Sequence, residues 1–229
     1  MFNLLTIQEL DNPPKDAKLY PIIDTDGGIL LDDDENVVWQ HRVNPARMTR
    51  KSTGLLWKLQ DVDVTITNKR LIYTCKKFKK GSTWFGLGAG ELVAGAFMIA
   101  SHIKAAAQRR GKVATGHVRY EWVGGLSQNV SWAGGSLSVI MMDSSATLTL
   151  ALYAMSKQTI AEMTDALLQQ VANYKVDNML AISPSGKARD EAIANMTKVD
   201  GQRVYGKTTT TTYTLTEGTL RVPNLEKRV

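Results

Sequence analysis

Apolar and polar positions alternate most cleanly between Asp61 and Cys75. Val62, Val64 and Ile66 are separated by Asp63 and Thr65, the two-residue period of a half-buried strand. Thr67-Asn68-Lys69 then predicts a reversal and Leu71 to Cys75 a returning strand, with Asn68 at the tip because its short amide bonds nearby backbone and tolerates left-handed geometry. The same period recurs on both sides of this hairpin. Before it, Asn36 to Val43 predicts a first strand and Leu55 to Leu59 a second. After it, His117 to Trp122, Leu126 to Trp132, Leu137 to Met141 and Leu148 to Leu152 predict further strands, about seven in all.

Two stretches change to helical spacing. Ile160, Met163, Leu167, Val171 and Tyr174 recur at intervals of three and four, so a helix is expected to follow the last strand. Thr159-x-x-Glu162 suggests a capping box, with Ser156 as an alternative cap. The second stretch lies inside an insertion, Gly81 to about Gly116, where Leu92 to Arg110 is rich in Ala, Val, Met and Ile. Leu92, Ala96, Ile99, Ile103 and Ala106 form one stripe there. Residues 1–34 read as an irregular arm because Asn12-Pro13-Pro14 and Pro21 withhold helix hydrogen bonds, with Gly28 to Leu31 as a short strand or a strap. Residues 176–229 read as a tail, partly disordered or docked on a partner, with a short helix from Arg189 to Met196 and a small hairpin around Glu217-Gly218.

The run "VTITNKRLIYT" resembles a signature of the pleckstrin-homology (PH) superfold in its bacterial and GRAM-like branches. "GHVRYEWVGGLSQNV", "GSLSVIMM", "ATLTLALYAM" and "SKQTIAEMTDALLQQVANY" fit the same pattern. The resemblance implies a mainly β chain: a PH-like seven-stranded barrel over residues 35–175, capped by its C-terminal helix and interrupted by a helical insertion at about 82–112. It also implies a binding module, since this superfold hosts lipid, peptide and ubiquitin binders.

Composition narrows the class. With 229 residues, 43% hydrophobic and 22% charged, the chain is long enough for a core and is not disordered in composition. The single cysteine, Cys75, excludes an internal disulfide framework and a thiolate zinc site, so a reducing cytoplasm is expected. Met1 to Thr6 lacks a basic n-region and apolar run, so export is not expected. Charge is unevenly spread within a net +6. Residues 1–39 hold nine acids against Lys15 and Lys18, with Asp32-Asp33-Asp34-Glu35 as a block, whereas residues 40–80 hold eleven Lys and Arg against Asp61 and Asp63. A basic face toward an anionic partner, an acidic arm covering that face, and two independent solvated surfaces are all compatible with this distribution.

Candidate chemistry follows the charge. Asn44 to Gly54 reads as a loop carrying Arg47, Arg50 and Lys51. It resembles the first-strand loop with which phosphoinositide-binding PH domains grip phosphate, although the strict family motif alternates basic residues along the strand itself. Lys76, Lys77, Lys79 and Lys80 flank Phe78 just before the apolar insertion, whose Trp84, Phe85 and Leu87 read as a membrane wedge and whose Leu92, Ile99 and Ile103 read as membrane or partner contacts. Trp84 to Ile103 is long enough to span a bilayer, but that would put strands of one barrel on opposite sides. Gly86-x-Gly88-x-Gly90 lacks the spacing and βαβ context of a dinucleotide loop.

His41, His102 and His117 have no nucleophile elbow or zinc motif around them, and the acid block lacks the glycine and distal glutamate of a calcium loop. No enzyme, metal, cofactor or specific nucleic-acid partner is therefore expected. The expectation is a cytoplasmic, non-catalytic adaptor, peripheral to anionic membrane. The alternative is a protein-interaction or homo-oligomerisation module using the insertion helix, and that helix packing on its own barrel stays open as well.

Overall fold

The computed structural model describes residues 6–9, 29–43, 46–50, 55–80, 112–132, 134–142, 146–153, 157–180 and 184–215. Its strands are β1 (Thr6–Glu9), β2 (Val37–Val43), β3 (Ala46–Arg50), β4 (Leu55–Thr67), β5 (Arg70–Lys80), β6 (Lys112–Arg119), β7 (Val123–Ser131), β8 (Gly134–Met141), β9 (Ala146–Tyr153), β10 (Gly201–Tyr205) and β11 (Thr208–Thr214). The helices are α1 (Lys157–Asn178) and α2 (Lys187–Met196). The architecture is mainly β, with every described strand pair antiparallel.

The strands run along one open path, β1-β6-β5-β4-β3-β9-β8-β7-β11-β10, with β2 also on β4. The expected closed barrel of seven strands is corrected by this path, whose two ends are the edge strands β1 and β10. Both come from segments expected to be irregular. Thr6–Glu9 of the arm pairs with Lys112–Thr115, and Thr209–Thr214 of the tail pairs with Gly125–Val130. The tail contributes a hairpin over Gly201–Thr214, turning at Gly206-Lys207, while the reversal expected at Glu217-Gly218 lies outside the described residues. Gly206, at φ 59°, sits first in the two-residue turn, the position that requires a left-handed residue in a type II′ hairpin.

The organising hairpin is as the alternation predicts, with Ile66 opposite Leu71 and Val64 opposite Tyr73. Val62, Val64, Ile66, Leu71, Tyr73 and Cys75 are all buried. Asp61, at φ 53°, is the one described non-glycine residue with positive φ. Apolar positions change parity there, from 55, 57 and 59 to 62, 64 and 66. Neighbouring strands change at the same level, between Val43 and Ala46 and between Cys75 and Phe78, so the ribbon is one continuous ladder with two apolar phases. His117 to Trp122 is not one strand, because Tyr120–Trp122 tightens into a 3-10 turn that lets β7 start in a new direction.

α1 lies on the core side of β7 and β8. Ile160, Met163, Leu167 and Val171 are fully buried, as their spacing predicts, while Tyr174 packs at the margin. Helix begins at Lys157, which places Thr159 inside it rather than at its cap. A Cβ on Gly135 would stand 2.4 Å from Ile160 Cδ1, so the odd-numbered positions of β8 face the helix and Ser136 and Ser138 face away. Lys175 is buried in this interface, and its Nζ donates to the carbonyls of Val123 and Leu215, each at 2.5 Å. An ammonium excluded from water needs such acceptors. Here they tie helix, β7 and the end of the C-terminal hairpin together.

Candidate anion-binding face

The acid block and the hairpin meet at one end of β4 and β5. Glu35 and Arg70 form a bidentate pair, Nε to Oε1 at 2.8 Å and Nη2 to Oε2 at 2.6 Å, with side chains 0% and 6% exposed. Thr67 Oγ1 donates to Glu35 Oε1 at 2.7 Å, and Tyr120 Oη donates to the Thr67 carbonyl at 2.5 Å. Arg70 Nη1 lies 3.2 Å from His117 Nδ1. Because a guanidinium only donates, that nitrogen is an acceptor and the imidazole is neutral. Burial pushes the Glu35 carboxyl upward, but hydrogen bonds from Arg70, Thr67 and the Asp32 backbone outweigh it and leave the group below its ordinary value.

Around this pair, Lys69 binds Asp34, which lowers the Asp34 carboxyl and raises the Lys69 ammonium. Asn68 is the latch of the loop rather than a left-handed corner. Its Oδ1 accepts from the Asn36 backbone N–H at 2.8 Å, and its Nδ2 donates to the Asp34 carbonyl at 3.0 Å. Asp63 is taken up by Arg42, at 2.7 and 3.0 Å. The acidic block therefore pairs with Lys69 and Arg70 at the hairpin tip. Among the described residues no group of His, Cys, Asp and Glu is arranged to hold a metal ion.

The other end of the ribbon is basic. Arg47 and Arg50 lie in β3, which corrects the loop expected from Asn44 to Gly54. Lys76, Lys77, Lys79 and Lys80 complete β5. In register, Arg47 pairs with Lys58, and Lys58 with Lys79, so three cations occupy one row across adjacent strands. Gln60 and Lys77 form the next row of the same parity. Seven of the sixteen residues in 46–50, 55–60 and 76–80 are Lys or Arg and none is acidic. Like charges side by side on a sheet repel, a local arrangement that an anion relieves. Lys58 was not singled out from sequence, since isolated in Leu-Leu-Trp-Lys-Leu it is one strand residue; only register sets it between Arg47 and Lys79.

The row continues through Thr149, Ser138, Ser127 and Thr212, every one a hydroxyl. Thr210 Oγ1 donates to Asn129 Oδ1 at 2.6 Å in the parallel row. This side of β7, β8 and β11 is thus polar and only partly buried, opposite the side that α1 covers.

Lys51, Trp84, Phe85, Leu87, Leu92, Ile99 and Ile103 lie outside the described residues, as does His102. His41 is a strand residue beside Trp39, ring centroids 5.7 Å apart, and His117 is buried against Trp122 at 5.5 Å. Among the described residues no helix is long and apolar enough to cross a membrane. Set against protein-family models, curated proteins and solved structures, the chain matches none.

Proposed function

We propose that this chain is a PH-like, non-catalytic binding module that attaches peripherally to anionic membrane through the basic ends of β3, β4 and β5. The order β6-β5-β4-β3-β9-β8-β7, followed by a helix on the core side, supports the PH-like reading, with β2 and β3 in one register against β4 as a single bent first strand. The observation that carries the membrane reading is the row Arg47–Lys58–Lys79, within strand segments 46–50, 55–60 and 76–80 that contain no acidic residue. Within the acid block, Asp34 and Glu35 are engaged at the hairpin tip by Lys69 and Arg70, and Asp63 by Arg42. The basic strand β5 also leads directly into the insertion with Trp84, Phe85 and Leu87.

Each lysine near an anionic leaflet contributes about 1 kcal/mol. The combined Lys58→Gln, Lys77→Gln and Lys79→Gln variant is therefore expected to bind phosphatidylserine-containing vesicles on the order of 100-fold more weakly than the parent, measured by co-sedimentation. Parent binding should also weaken with added salt, because surface charges are screened within about 10 Å at 0.1 M. A triple variant that sediments like the parent removes the proposal. Deletion of residues 82–111, which stops short of β6, tests the interaction alternative: a change in solution mass without loss of vesicle binding favours it.

A further inference from the structure

The most exposed large hydrophobic side chains of the described residues are Tyr205 at 91%, Trp132 at 79% and Val204 at 70%. Far apart in sequence, they belong to two neighbouring hairpins, β7–β8 and β10–β11, joined through the β11–β7 ladder. Extending that ladder two positions beyond its last pair, Thr209 with Val130, sets Lys207 level with Trp132, and Tyr205 is itself paired with Thr208. The aromatic residues thus stand at adjacent tips, two strand spacings apart, or roughly 10 Å.

Their surroundings are one-sided in charge. Residues 123–142 contain no charged residue, and residues 201–215 contain only Arg203 and Lys207, both exposed. Behind the tips the strands turn polar at once, with Asn129, Ser131, Thr209 and Thr210 partly exposed. An apolar apex of this kind, with an indole and a phenol, two cations and no acid, has the chemistry of a bilayer interface. Trp and Tyr rings settle at the headgroup level, where their bodies are apolar and their polar ends stay wet. Arg203 and Lys207 meet anionic headgroups, and the hydroxyl-bearing strands stop deeper entry.

We propose that the tips of these two hairpins form a second membrane contact, in which Trp132, Val204 and Tyr205 enter the headgroup region of an anionic bilayer and Arg203 and Lys207 bind its phosphates and carboxylates. The inference rests on the membrane reading above but uses none of its residues, so the two can fail separately.

The test uses the full chain with vesicles of phosphatidylcholine alone and of phosphatidylcholine with phosphatidylserine. Brominated acyl chains are expected to quench part of the tryptophan emission of the parent on the mixed vesicles, and Trp132→Phe to lose that part. Trp132→Ala with Tyr205→Ala is expected to bind the mixed vesicles at least tenfold more weakly with an unchanged unfolding midpoint. If that variant fails to fold, Tyr205→Ser alone, at a 91% exposed position, carries the same comparison. Tip variants that bind like the parent, or unaltered quenching in Trp132→Phe, overturn the contact. When the lysine variant above loses binding and the tip variants keep it, only this inference falls. A parent that ignores both kinds of vesicle removes both proposals, and loss of a protein complex without loss of vesicle binding reassigns the tips to a protein partner.

Discussion

Glu35 and Arg70 are separated in sequence by β2, β3 and β4, yet they pair at the hairpin tip with both side chains almost fully buried. Removing one partner leaves a buried charge without its counter-ion, which costs about 3–5 kcal/mol, so Glu35→Ala is expected to lower unfolding stability by that amount in urea. The pH dependence follows from the direction of the shift. Glu35 is more acidic folded than unfolded, so its contribution is complete above its ordinary value of 4.5 and is lost as pH falls through the lower folded value. Parent stability should fall across that acid range more steeply than that of Glu35→Gln, which has no such group to protonate. Tyr73 makes the converse case. Its hydroxyl is fully buried with no hydrogen-bond partner among the described residues, and burial raises its pKa well above the usual value. Tyr73→Phe keeps the packing and removes a desolvated polar atom, so a gain of about 1 kcal/mol is expected from the same urea titration.

At the scale of elements, Lys175 does what an apolar stripe cannot. α1 packs on β7 and β8 through Ile160, Met163, Leu167 and Val171, and Leu215 just after β11 is buried in the same core with its N–H bonded to the Gly124 carbonyl. The ammonium provides two directed bonds, one to the Val123 carbonyl and one to the Leu215 carbonyl. Lys175→Met preserves volume and leaves both carbonyls without that donor, at about 1–3 kcal/mol for each left unsatisfied. Amide hydrogen exchange in residues 201–215 should accelerate in that variant while the β4–β5 hairpin keeps its protection. Sequence periodicity locates α1 through Ile160 to Val171, but Lys175, four residues after Val171 on the same face, goes unnoticed because a charged side chain is rarely buried. The hairpin of residues 201–214 was missed as well. Thr208 to Thr212 shows no apolar alternation, and of these five threonines only Thr211 is buried.

In the whole molecule, the proposed binding surfaces are defined by where charges and aromatic rings lie relative to one another. The uneven distribution of acids and bases along the first eighty residues is plain in the sequence, but it left three arrangements open. Asp34 and Glu35 pair with Lys69 and Arg70, which places that part of the acid block at the hairpin tip. The vesicle experiments belong at this scale, since they ask whether the basic strand ends and the aromatic tips act on the same surface.

Local order was determined by the chain itself. Period-two alternation specified the β4–β5 hairpin and its core residues, and three-and-four spacing specified α1, because both patterns record which side of an element avoids water. Cross-strand neighbours are a different kind of information. That Arg47, Lys58 and Lys79 share a row, that Trp132 stands beside the Tyr205 hairpin, and that the sheet stays open with Thr6–Glu9 and Gly201–Tyr205 at its edges depend on strand register and order, which join residues tens of positions apart. Those pairings are chosen by the packing of the whole sheet, so only the tertiary structure could decide them.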